Sequence, residues 1–113
     1  MTLDISRAIA EIRKRLDEIE ALAVQLPDKK KSQWIRGEGY GYSPTPRLLD
    51  LFEKLEIPKK PSIRRKLSTA VWLMEHEGVF RNDLTINRRL RQAVAFRPYL
   101  DRVLDAIDSQ EKP

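Results

Sequence analysis

Apolar residues recur at alternating steps of four and three from position 5 to position 26 of the chain. The positions are Ile5, Ile9, Ile12, Leu16, Ile19, Ala23 and Leu26. This repeat of about 3.5 residues predicts a long amphipathic helix over residues 4–26, which Pro27 ends. We treat residues 1–27 as one unit whose apolar seam needs a partner helix. The partner is either a second copy of the chain, with Ile5, Ile9, Ile12, Leu16 and Ile19 as the oligomerisation face, or the protein's own helices.

Four further segments show the helical period: 45–55, 62–78, 84–96 and 99–107. Thr45 and Pro46 supply an N-cap and a first-turn proline for the first of these helices. The predicted fold is therefore all-α with about five helices, in which the long N-terminal helix is followed by a compact bundle over residues 45–109. Residues 28–44 are expected to form a loop, and residues 110–113 a tail.

The segment 62–78 carries the functional argument. Pro58 and Pro61 precede it, and Ser62 is the expected N-cap because its hydroxyl can accept a hydrogen bond from a free backbone N–H. One face of this helix is apolar, and the opposite face carries Arg65, Thr69, Trp72 and His76.

At the other end of the bundle, the chain is expected to bend before Pro98, so that the last helix begins at Tyr99.

Positive charge is concentrated where this helix begins. The net charge is +5, but residues 28–66 hold eleven basic and five acidic groups, so the excess lies in the middle of the chain. Cations at a helix N-terminus are unfavourable by roughly 0.3–1 kcal/mol each, because they face the positive end of the helix dipole. A bound anion would reverse that effect. The alternative to anion binding is that these long side chains extend into water without a ligand. The predicted phosphate-binding residues are Lys29, Lys30, Lys31, Arg36, Lys59, Lys60, Arg64, Arg65, Lys66, Arg88, Arg89 and Arg91.

The loop over residues 28–44 interleaves aromatic residues with glycine and basic residues. Trp34, Tyr40 and Tyr42 are candidates for stacking on the bases of a single-stranded nucleic acid. The alternative is that they anchor the loop on the core. The glycines do not form a nucleotide-binding phosphate loop, because no Gly-Lys-Ser or Gly-Lys-Thr follows them.

Several classes of function are unsupported by the sequence. There is no cysteine, which excludes disulfides and thiolate metal sites and fits a cytoplasmic location. No apolar run is long enough to span a membrane. His76 is the single histidine, and its position late on a helix favours an end charge over a catalytic base. We therefore predict no catalytic residue, no metal, no cofactor and no small-molecule substrate.

The two helices over 45–55 and 62–78 resemble a helix-turn-helix pair, and Glu77-Gly78-Val79-Phe80 is similar to the end of a winged-helix recognition helix. The two prolines in the turn, the length of the second helix and the lack of a following strand pair depart from that pattern. We predict a non-catalytic protein that binds DNA or RNA through phosphates. The alternative is a protein-interaction or assembly subunit, a homodimer or part of a larger complex; the chain resembles the small subunits of CRISPR effector complexes in size, charge and helicity.

Overall fold

The computed structural model describes residues 4–29, 42–76 and 90–111. Four helices have both ends within these ranges: α1 (Ile5–Val24), α2 (Pro46–Lys54), α3 (Pro61–Glu75) and α4 (Arg97–Glu111). Residues 90–94 form a further helical segment, and residues 28–29 are also helical. No strand occurs in the described ranges. The all-α prediction is therefore confirmed.

Two helices begin as the sequence predicts because a side chain satisfies a free N–H in their first turn. The Asp4 carboxylate accepts a hydrogen bond from the backbone N–H of Arg7 at 3.1 Å and starts α1. The Thr45 hydroxyl accepts one from the N–H of Leu48 at 3.2 Å, with Pro46 in the first turn of α2.

The predicted starts of α3 and α4 were wrong by one and two residues. The first helical residue of α3 is Pro61, so that Lys60 and not Ser62 is its N-cap. The first helical residue of α4 is Arg97, ahead of Pro98. Both prolines are tolerated in a first turn because their missing N–H would have no partner inside the helix.

The C-terminus of α2 turns the chain through a left-handed residue. Glu56 has φ of 55°, and its N–H donates to the carbonyl of Glu53 at 3.1 Å. The N–H of Ile57 donates back to the carbonyl of Phe52 at 2.9 Å, and the Ile57 side chain is buried. These two bonds form a Schellman motif, which ends α2 and aims the chain into α3.

The core is built where α1, α3 and α4 pack on one another. The seam of α1 faces this core: Ile12 and Leu16 are 0% exposed, and Ile9 and Ile19 are also buried. Ile5 is half-buried against the same cluster. Of the two partners that the sequence leaves open, the protein's own helices are the ones that cover this seam. A second copy that used the same face would have to displace them.

Helix α3 is buried on more sides than its sequence pattern indicates. The sequence pattern predicts Thr69 on the face opposite the core, but its side chain is only 3% exposed. Its hydroxyl accepts a hydrogen bond from the N–H of Tyr42 at 2.9 Å, because the segment before α2 covers this side of α3. No helix in the described ranges is both long and apolar enough to cross a membrane.

Candidate nucleic-acid interface

The connection between α2 and α3, residues 55–60, is braced by Arg64. Its guanidinium donates to the carbonyl oxygens of Ile57 and Pro58 at 2.9 and 3.1 Å. It also pairs with the Glu53 carboxylate at 3.1 Å, and its side chain is only 12% exposed. The guanidinium carbon lies 5.6 Å from the centre of the Phe52 ring. The Glu53 carboxylate therefore neutralises part of the charge of Arg64, and the hydrogen bonds of Arg64 hold this connection in place.

A second arginine reaches the same connection from α4. Arg102 donates a hydrogen bond to the carbonyl oxygen of Leu55. The Lys59 ammonium lies 3.8 Å from the Glu53 carboxylate, with a side chain that is 80% exposed. Together with their neighbours in sequence, these residues form what we call the connection cluster: Lys54, Lys59, Lys60, Arg64, Arg65 and Arg102. Two cations on this short segment and four from three helices thus lie on it or next to it, and the carboxylates on that segment and the last turn of α2 are those of Glu53 and Glu56.

Three carboxylates of α4, those of Asp101, Asp105 and Asp108, contact residues of α1. Arg13 on α1 pairs with Asp101 at 3.5 Å and with Asp105 at 2.5 Å. Asp108 accepts a hydrogen bond from the Ser6 hydroxyl at 2.5 Å. Because these acidic groups contact α1, we expect them to offset little of the positive charge around residues 55–60.

Arg97 joins the same acidic side of α4 to α1. Its guanidinium contacts Asp17 at 2.6 Å, Glu20 at 3.0 Å and Asp101 at 3.5 Å. Burial alone would lower the pKa of Arg97, but the hydrogen bonds to Asp17 and Glu20 and the charges of Glu20 and Asp101 raise that pKa above its ordinary value. Arg97 is therefore a structural tie between α1 and α4 and is not available to a ligand.

The sequence-predicted binding residues have different surroundings. Lys59, Lys60, Arg64 and Arg65 lie together at the connection, and Lys29 is exposed elsewhere. Lys66 and Arg91 are half-buried, and the Lys66 ammonium lies 5.2 Å from the centre of the Phe96 ring. The other predicted residues lie outside the described ranges: Lys30, Lys31, Arg36, Arg88, Arg89 and the stacking candidates Trp34 and Tyr40.

Two members of the connection cluster, Lys54 and Arg102, were missed in the sequence. Lys54 could have been predicted, because it is a lysine in the last turn of a helix and the next segment of the chain is basic. Arg102 had none, because only the packing of α4 brings it to Leu55, 47 positions earlier in the chain.

The described stacking candidate, Tyr42, is used inside the protein. Its ring stacks on Trp72 with centroids 4.2 Å apart, and the other face of Trp72 stacks on His76 at 3.8 Å. The Nδ1 atom of His76 also lies 2.7 Å from the carbonyl oxygen of Trp72. Both faces of the Trp72 ring are thus covered. Tyr42 anchors its segment on α3, which agrees with the alternative that the aromatic residues hold the loop on the core.

Within the described part of the chain, no group of three or more His, Cys, Asp or Glu side chains is placed to hold a metal ion. Comparison of the chain with protein-family models, curated proteins and solved structures finds no match.

Proposed function

We propose that the protein is a non-catalytic nucleic-acid-binding protein that holds the phosphates of DNA or RNA at the connection cluster. The observation that carries this proposal is the concentration of exposed cations at the connection: Lys59 and Lys60 lie on it, and Lys54, Arg65 and Arg102 lie next to it on α2, α3 and α4, against the carboxylates of Glu53 and Glu56. Phosphate binding needs no base contact, so duplex and single-stranded ligands are both accommodated. The cytoplasmic location expected from the lack of cysteine is compatible with this role.

The start of α3 supports the same proposal independently of the charge count. This helix begins without a side-chain cap, so the first-turn N–H groups of Ser62 and Ile63 donate no hydrogen bond to a capping side chain. Lys60 and Arg65 flank these groups, are exposed, and have no ion pair with any residue in the described ranges. A phosphate bound at this helix start would accept hydrogen bonds from the N–H groups and would be attracted by the helix dipole and by the two cations.

The direct test is the double variant Lys60→Ala/Arg65→Ala, assayed by fluorescence anisotropy with single- and double-stranded oligonucleotides at low salt. We expect affinity to fall by about ten-fold or more for every sequence, because phosphate contacts carry no base information. The matched control is Arg7→Ala/Lys14→Ala, which removes two exposed cations from α1 and should leave the affinity nearly unchanged.

Two results would overturn the proposal. One is the absence of measurable oligonucleotide binding by the wild-type protein at low salt. The other is an equal loss of affinity in the two double variants, since net charge alone would then explain the binding.

A second candidate function is an assembly subunit that docks on a protein partner, and one observation favours it. Leu22 and Val24, at the C-terminal end of α1, are 56% and 75% exposed. Replacing both with serine should abolish docking while leaving the fold intact. Light scattering of the isolated chain before and after the change distinguishes self-association from a monomer.

A further inference from the structure

A cavity of about 230 Å³ lies between α2 and α3, with Ile5 of α1 and Ile107 of α4 among its lining residues. Leu48, Leu51 and Val71 give it apolar sides. The cavity is therefore suited to one compact ring system and is too small for a ligand of typical drug size, which needs about 300 Å³ or more.

The cavity contains a polar group that the protein leaves unused. Ser68 lines it and is only 4% exposed, yet its hydroxyl makes no hydrogen bond to any residue in the described ranges. The oxygen of this hydroxyl is open to the cavity and is not sealed from water, and a hydroxyl can both donate and accept. A ligand that carries a hydrogen-bonding atom on the edge of an otherwise apolar ring would satisfy it.

The remaining lining residues limit the charge of such a ligand. Arg47 and Lys54 bring cations from α2, while Asp50 and Glu75 bring carboxylates from α2 and α3, and all four residues are exposed. Lys54 also belongs to the connection cluster, so the cavity adjoins the proposed phosphate-binding surface. An anionic group beside Arg47 and Lys54 and an amino group beside a carboxylate would both be favourable there.

We propose that this cavity binds the base of one nucleotide, with Ser68 hydrogen-bonded to the base edge and the phosphate at Arg47 and Lys54. A nucleobase has the two apolar faces and the polar edge that the cavity requires. The carboxylates of Asp50 and Glu75 accept hydrogen bonds from exocyclic amino groups, so adenine, cytosine and guanine are preferred to uracil and thymine. The nucleotide can be part of a strand or free in solution, because the recognised chemistry is the same. If it is part of a strand, this proposal rests on the proposed function.

Calorimetric titration of the full chain tests the proposal with four probes: adenosine monophosphate, cytidine monophosphate, uridine monophosphate and ribose 5-phosphate. We expect the adenine and cytosine nucleotides to bind about ten-fold more tightly than the uracil nucleotide, and ribose 5-phosphate to bind most weakly. Ser68→Ala should weaken adenosine monophosphate binding by about three- to ten-fold. Ser109→Ala, the same change on the exposed surface of α4, should have no effect.

Arg47→Ala provides a second variant at an exposed position, where loss of the fold is not a concern. It should weaken binding of adenosine monophosphate but not of adenosine. The proposal is overturned if adenosine monophosphate and ribose 5-phosphate bind alike, or if Ser68→Ala binds adenosine monophosphate as the wild type does.

An oligonucleotide and its abasic counterpart separate the two sources of the nucleotide. Tighter binding of the intact strand supports a base taken from a strand. Equal binding of the two strands assigns the cavity to free nucleotides if adenosine monophosphate binds as expected, and overturns the cavity proposal if it does not; phosphate binding at Lys60 and Arg65 stands in both cases. If adenosine monophosphate binds as expected but no strand binds at low salt, the cavity takes free nucleotides, and the proposed function is the part that fails.

Discussion

Two adjacent arginines have different expected roles: Arg64 stabilises the fold, and Arg65 binds phosphate. Arg64→Ala removes hydrogen bonds to the carbonyls of Ile57 and Pro58 and the ion pair with Glu53. We expect the free energy of unfolding, measured in urea, to fall by about 1–3 kcal/mol. Arg65→Ala removes an exposed side chain and should change that free energy by less than about 0.5 kcal/mol.

The same two variants should rank in the opposite order when nucleic-acid affinity is measured on folded protein. Arg65→Ala weakens binding, because this side chain is exposed at the start of α3. An equal loss of stability in both variants would contradict the bracing role that we assign to Arg64.

Arg97 gives a second test at the residue scale, because one guanidinium serves three carboxylates. Its side chain is 17% exposed, whereas that of Asp17 is 68% exposed and can regain water if the arginine is removed. Arg97→Ala should therefore lower the free energy of unfolding by about 1–3 kcal/mol, between the values for surface and buried pairs. Arg97→Lys should recover only part of this loss, because an ammonium lacks the planar fork of the guanidinium.

The sign of the pH effect follows from the raised pKa of Arg97. A cation whose pKa is higher in the folded state contributes its stability fully below the ordinary pKa of arginine, and loses it only as the pH rises past the folded value. Between neutral pH and pH 10, the difference in stability between wild type and Arg97→Ala should thus stay constant. A difference that shrinks over this range would contradict the assignment.

At the scale of the element, α1 shows what a hydrophobic repeat can and cannot predict. The spacing of Ile12 and Leu16 predicts which face is buried, and both are fully buried in the structure. The spacing does not predict what covers that face, because a helix of the same chain and a helix of a second chain present the same apolar surface. The covering helices, α3 and α4, were each predicted as helices, but their position beside α1 depends on tertiary packing.

Leu16→Ala and Leu22→Ala test this interpretation on one helix. Leu16 is 0% exposed in the core, so its truncation should lower the free energy of unfolding by about 2–5 kcal/mol. Leu22 is 56% exposed, and its truncation should have an effect within about 0.5 kcal/mol. The melting temperature should be independent of protein concentration in the wild type. A melting temperature that rises with concentration, together with a dimer that Leu16→Ala dissociates, would instead favour the intermolecular seam.

The end of α2 offers a stabilising change. Glu56 holds φ of 55°, a left-handed conformation that disfavours every residue with a Cβ and suits glycine. Glu56→Gly should raise the free energy of unfolding by about 0.5–1 kcal/mol, as measured by chemical denaturation. It also removes one of the two carboxylates beside the connection cluster, so nucleic-acid affinity at low salt should rise. Glu53→Gln is the informative contrast, because it removes the other charge and weakens the brace at Arg64.

At the scale of the whole molecule, the candidate site was only partly predictable. Lys59, Lys60 and Arg65 were found because they are close in sequence to a helix start. The role of Arg64 was not found, because its partners are backbone carbonyls, which every residue carries and no pattern reveals. Nor could Arg102 be found, since its contact with Leu55 exists only once α4 has packed on the bundle. Local charge patterns thus predict a patch within one segment, whereas the tertiary structure decides which charges remain open to a ligand.

The salt dependence of binding measures how many of those charges are used. Arg64 is largely buried, whereas the other five cations of the connection cluster are exposed and can reach phosphates: Lys54, Lys59, Lys60, Arg65 and Arg102. Each phosphate neutralised on duplex DNA contributes about −0.9 to the slope of log K against log salt concentration, so the slope should lie between about −3 and −4.5. Single strands should give a smaller slope, near −0.7 per contact. Removing Lys60 and Arg65 together should make the duplex slope less steep by about two, because counterion release is lost at two phosphates. If that double variant keeps the wild-type slope, its lost affinity must come from a changed fold, and the phosphates must lie elsewhere on the protein.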